Sequence, residues 1–86
     1  MPRTQALTKD VLIGANANVA TNMGTISVPA GYKFAGVFPA GHRYVDALQV
    51  TYDKNNGNSI YAYIKSYYGA SNLEDTLNCT VLYLPE

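Results

Sequence analysis

Leu48-Gln49-Val50-Thr51-Tyr52-Asp53, followed by Lys54-Asn55-Asn56-Gly57-Asn58 and then Ser59-Ile60-Tyr61-Ala62-Tyr63-Ile64, is the stretch that decides the fold. Apolar side chains take alternate positions on both sides of an Asn-Gly pair: Leu48, Val50 and Tyr52 upstream, Ile60, Ala62 and Ile64 downstream. A period of two belongs to strands, whose successive side chains point to opposite faces. Asn-Gly between two such runs is the strongest short-range sign of a hairpin. Two registers compete. A two-residue loop at Asn56-Gly57 sets Tyr52 opposite Tyr61 and Val50 opposite Tyr63. A three-residue loop, Asn55 to Gly57 with Gly57 left-handed, sets Tyr52 against Ile60, Val50 against Ala62 and Leu48 against Ile64. The second gathers all six apolar residues on one face, and a slip of one residue would undo it. It is the expected register, and it leaves Tyr61 and Tyr63 on the opposite face beside Gln49 and Thr51.

Working outward, Thr76 to Leu84 alternates too. Leu77, Cys79, Val81 and Tyr83 form one face, and Asn78, Thr80, Leu82 and Leu84 the other. An outer half that is apolar on both sides suits a strand buried on both faces or one at a subunit contact. Pro85, with no N–H to donate, ends the ladder. Tyr68 to Asp75 reads as the loop before this strand. Toward the N-terminus, strands are expected at Lys9–Ile13 and Gly24–Val28, joined by a polar loop holding Gly14, Asn16, Asn18 and Asn22. Val28-Pro29-Ala30-Gly31 and its echo Phe38-Pro39-Ala40-Gly41 read as type I turns with Pro second, bracketing a short strand from Tyr32 to Phe38. Residues 1–8 read as an extended N-terminal arm. The sum is one all-β domain over residues 1–86, a small antiparallel β-sandwich or barrel of about six strands.

The chain has 86 residues, 48% hydrophobic and 14% charged, with six basic and six acidic residues and no net charge. That balance belongs to a single small folded domain, not to a disordered tail. Scattered charge leaves no electrostatic footprint for nucleic acid. No apolar run approaches the ~20 residues that cross a bilayer, so no membrane insertion is expected, and Met1-Pro2-Arg3-Thr4-Gln5 lacks the layout of a signal peptide. The single cysteine, Cys79, excludes an internal disulfide. A domain this small has a thin core and usually adds disulfides, metals or self-association. With the first excluded and metal ligands sparse, self-association is the expected device. The eight tyrosines suit both strands and interfaces.

No catalytic, metal-binding or cofactor-binding constellation stands out, so the chain reads as a non-enzyme without cofactors. His42 is the only histidine. It follows a turn sequence and has no nucleophile or orienting carboxylate placed near it by sequence. The carboxylates are scattered, and Glu74-Asp75 reads as a solvated loop pair. Cys79 alternates with Leu77 and Val81 as a small core hydrophobe. One cluster carries functional promise: Tyr61, Tyr63, Tyr67 and Tyr68. The first three share strand parity and line one face as a stripe. That stripe either meets a ligand or is covered by a second sheet; Lys65, of the same parity, argues for solvent. Asn72 in the following loop and His42 and Arg43 at the rim complete the candidate ligand-binding set.

From Ile26 to Leu84 the sequence resembles small β-domains at the ends of phage tail-fibre and baseplate receptor-binding proteins. The carrying residues are Val28-Pro29-Ala30-Gly31-Tyr32-Lys33, Ala35-Gly36-Val37, Leu48-Gln49-Val50-Thr51-Tyr52, Ile60-Tyr61-Ala62-Tyr63-Ile64 and the closing Cys79-Thr80-Val81-Leu82-Tyr83-Leu84. The resemblance implies a virion protein, a homotrimer and attachment to host-surface saccharide. Two functions are therefore expected of the same surface: a carbohydrate-binding attachment module, or a structural virion adaptor or decoration subunit that binds another protein and no sugar.

Overall fold

The computed structural model describes residues 1–86. The chain runs through six strands, β1 (Arg3–Ile13), β2 (Asn18–Thr25), β3 (Tyr32–Ala40), β4 (Ala47–Asp53), β5 (Ser59–Lys65) and β6 (Leu73–Pro85), with no helix. The β4–β5 hairpin forms in the register that collects its apolar side chains, with Leu48 opposite Ile64, Val50 opposite Ala62 and Tyr52 opposite Ile60. Its loop is longer than three residues, because pairing stops at Asp53 and Ser59. Local side-chain bonds replace the next rung. The Asp53 carboxylate accepts the Asn55 N–H at 3.1 Å, and Ser59 Oγ donates to the Asn56 carbonyl at 2.7 Å. Gly57 is left-handed as expected (φ 65°), and Asn58 joins it (φ 57°).

Two three-stranded antiparallel sheets result, ordered β1-β6-β3 and β2-β5-β4. The best-alternating strands, β5 and β6, take the two central positions. Their inward residues face one another across the sandwich: Ile60, Ala62 and Ile64 from one sheet, Leu77, Cys79, Val81 and Tyr83 from the other, all buried. At one seam the Phe34 and Tyr52 rings meet at 4.2 Å, tying β3 to β4. At the other, Lys9 points inward and donates to the Asn22 carbonyl at 3.0 Å. An inward lysine on an edge strand also discourages pairing with a further chain.

Five local expectations change. β1 begins at Arg3, so most of the expected arm is extended but paired along β6, with Arg3 opposite Tyr83. The second strand is Asn18–Thr25, which is the polar stretch expected as loop. It is an edge strand, and its low apolar content suffices because only one side faces the core. A bulge between Asn22 and Gly24 adds a residue there, and the added Met23 is buried in the core. Phe38-Pro39-Ala40 is not a turn. It finishes β3 opposite Thr80, Cys79 and Asn78, where an edge position tolerates the missing N–H of Pro39. The earlier turn exists but is shifted by one residue. Tyr32 N–H donates to the Pro29 carbonyl at 3.0 Å, and Gly31 sits third with φ 82°, the form of a type II turn. Finally, β6 starts at Leu73, so Glu74 and Asp75 belong to a strand and not to a loop.

Candidate functional site

Inward burial of Ile60, Ala62 and Ile64 sends the alternate residues of β5 outward. Tyr61, Tyr63 and Lys65 therefore lie on the outer face of β2-β5-β4, and Tyr67 continues the parity just beyond the strand. The opposing sheet packs on the other side, so no second layer covers this stripe. Tyr63 is 48% and Tyr67 65% exposed. The register flanks the rings with small and amide side chains. Asn22, Ala20 and Asn18 stand beside Tyr61, Tyr63 and Lys65 on one edge, and Thr51, Gln49 and Ala47 on the other. Tyr61 is half-buried, and its hydroxyl accepts from Asn56 Nδ2 at 2.5 Å. The Lys65 ammonium stands 5.4 Å from the Tyr67 ring centre, within range of a cation–π contact.

The β1–β2, β3–β4 and β5–β6 connections all emerge at one end of the sandwich, because β1, β3 and β5 run the same way. Asp75 organises this end. It is buried, in phase with Leu77, and its carboxylate accepts N–H groups from Arg43 (3.0 Å to each oxygen), Tyr44 (2.8 Å) and Thr76 (2.8 Å). Burial alone would push this carboxyl up. The N–H groups of Tyr44, Arg43 and Thr76 and the nearby His42 outweigh that and hold it below the usual carboxylate value. The β3–β4 connection is thus pinned to β6. Ser66 Oγ donates to the Tyr44 carbonyl at 2.7 Å, and Asn16 N–H to the Tyr68 carbonyl at 2.9 Å. On this base the Arg43 guanidinium lies 5.7 Å from the Tyr44 ring, which meets Tyr68 edge to face at 5.4 Å.

The expected site residues therefore divide. Tyr61, Tyr63 and Tyr67 share the outer face. Tyr68 joins Tyr44 and Arg43 at the loop end. His42 and Arg43 line an open cleft of about 750 Å³ on the other sheet, with Asp10, Glu74, Asp75 and Thr76. Asn72, left-handed at φ 58° and exposed, precedes β6 and bonds to none of these side chains. No three His, Cys, Asp or Glu side chains gather as a metal-binding group. Sequence reasoning missed Tyr44 and Asp75. For Asp75 the signal was there: the alternation of Leu77, Cys79 and Val81, carried back one step, turns it inward.

Fold and surface together define an all-β two-sheet module with an outward aromatic face and a stitched loop end. Neither protein-family models, nor curated proteins, nor solved structures match this chain.

Proposed function

We propose that this chain is a non-enzymatic binding module that holds saccharide on the outer face of β2-β5-β4 and serves host attachment in a phage virion. The observation that carries the saccharide reading is the uncovered row of Tyr61, Tyr63 and Tyr67 flanked by Asn18, Asn22 and Gln49. Tyrosine faces stack on sugar rings, and side-chain amides exchange hydrogen bonds with hydroxyls. The virion setting rests on the sequence resemblance.

The decisive experiment is a saccharide array followed by calorimetric titration. Tyr63→Ala removes a surface ring without touching the core, and its expected cost is about 1.4 kcal/mol, roughly tenfold in affinity. Binding unchanged in Tyr63→Ala would place the ligand elsewhere.

Self-association into a homotrimer belongs to the same proposal. Its support is the thin core and the outer face of β1-β6-β3, where Phe38 and Leu12 are exposed and Leu82 and Leu84 half-buried. Three weak sites on one particle gain avidity through effective concentration. Light scattering is expected to give three times the 9.3 kDa chain mass, and a stable monomer at micromolar concentration would defeat the trimer. The same apolar face favours the second reading, a structural virion adaptor that binds protein and no sugar. A chain that ignores every saccharide yet co-sediments with a virion protein would establish it.

A further inference from the structure

We infer that the saccharide held on this face is acidic, with a carboxylate or phosphate group seated against Lys65. The inference rests on the saccharide reading above and narrows its ligand class. Three observations carry it.

Lys65 occupies the tyrosine row itself, between Tyr63 and Tyr67, on an outward position of a central strand. Strand geometry places it about 7 Å from Tyr63, at ~3.3 Å per residue, so a ring stacked on Tyr63 presents its substituents to the ammonium. The ammonium is also oriented, since it stands 5.4 Å from the centre of the exposed Tyr67 ring. An ammonium held over one ring face loses less freedom on meeting an anion than a lysine free in solvent.

The Lys65 ammonium contacts the Tyr67 ring and forms no ion pair with a carboxylate. The cross-strand candidate is Asp46, whose N–H donates to the Lys65 carbonyl at 2.9 Å. Its carboxylate accepts the Tyr67 N–H at 2.6 Å. The register neighbours of Lys65 are Asn18 and Ala47, and those of Tyr63 are Ala20 and Gln49, so the cross-strand positions are uncharged.

Half of the six acidic residues lie on the opposite sheet. Asp10, Glu74 and Asp75 line the cleft there, beside Arg43. A charged ligand oxygen on an ammonium adds charge–charge attraction that a neutral hydroxyl lacks.

The test compares matched probes by titration at low salt. One is a neutral oligogalactose, one an oligogalacturonate of the same length, and one a phosphodiester-linked glycerol–galactose oligomer. At least one acidic probe is expected to bind about fivefold or more tighter than the neutral one, and which of them does so distinguishes carboxylate from phosphate. The preference should shrink as salt is raised and vanish in Lys65→Gln. Equal affinity for neutral and acidic probes, or a preference that survives Lys65→Gln, overturns the inference and leaves the saccharide reading standing. Binding of none of the probes, extended to a full array without a response, removes both.

Discussion

Leu77→Ala is expected to cost about 3 kcal/mol of folding free energy, within the range for burying a cavity where a leucine stood. Leu77 lies in the middle of β6 and has no exposed surface. Both of its sheet neighbours are edge strands, so the side chain relies on the opposing sheet for its contacts. Folded domains hold roughly 0.05–0.15 kcal/mol per residue, which for this chain makes the loss about a quarter to two thirds of the total. With a melting shift of ~4–8 °C per kcal/mol for domains of this size, the variant should melt roughly 12–24 °C below the parent. Circular dichroism on heating and urea titration check this, the second with an unchanged m value. Val19→Ala, on edge strand β2 where Val19 is 54% exposed, is the comparison and should lose far less. Equal losses at the two positions would mean that β6 does not present Leu77 to a closed interior.

Asp75→Asn should lose about 2 kcal/mol near neutral pH, and it should lose it in a pH-dependent way. The carboxylate satisfies three partly buried N–H donors, those of Arg43, Tyr44 and Thr76. An amide offers one acceptor oxygen and turns an NH₂ toward donors, and hydrogen bonds to charged groups are worth ~1.5–3 kcal/mol. The folded-state pKa lies below the usual carboxylate value, because the three N–H groups outweigh burial. Its stabilisation is therefore complete above the unfolded carboxylate's value of ~3.9 and disappears as pH falls through the lower folded value. Urea midpoints of parent and variant should stand apart from about pH 7 down to about pH 5 and converge below about pH 4. A constant gap across that range would assign the loss to shape and not to charge. Because the carboxylate positions Arg43 and Tyr44, the variant should also loosen the loop end, while the Tyr63 face, built on β5, stays in place.

How much of this was legible follows from where information sits in a strand. The β4–β5 register could be read because both partners lie within 17 consecutive positions and only one pairing collects Leu48, Val50, Tyr52, Ile60, Ala62 and Ile64 on a single side. The inward face of β6 was readable for the same reason. The polar strand β2 was not, since an edge strand with one face in solvent needs few apolar residues, and the bulge at Met23 breaks the alternation where it would show. Pro39 misled because a proline turn and a proline on an edge strand look alike until the strand order is known. Asp75 misled because an acid followed by Thr76 suggests solvent, whereas the donors that make its burial tolerable come from the distant 43–44 backbone.

The local alternation of side chains by itself determined that the chain is all-β, which residues turn inward on β5 and β6, and that Tyr61, Tyr63 and Tyr67 share a side. Only the tertiary structure decided the orders β1-β6-β3 and β2-β5-β4, the open outer surface over those tyrosines, and the joining of three connections at one end around Asp75. The reason is range: a two-residue period is written in adjacent side chains, but which face is left to water depends on partners tens of residues away, chosen by the burial of the whole chain.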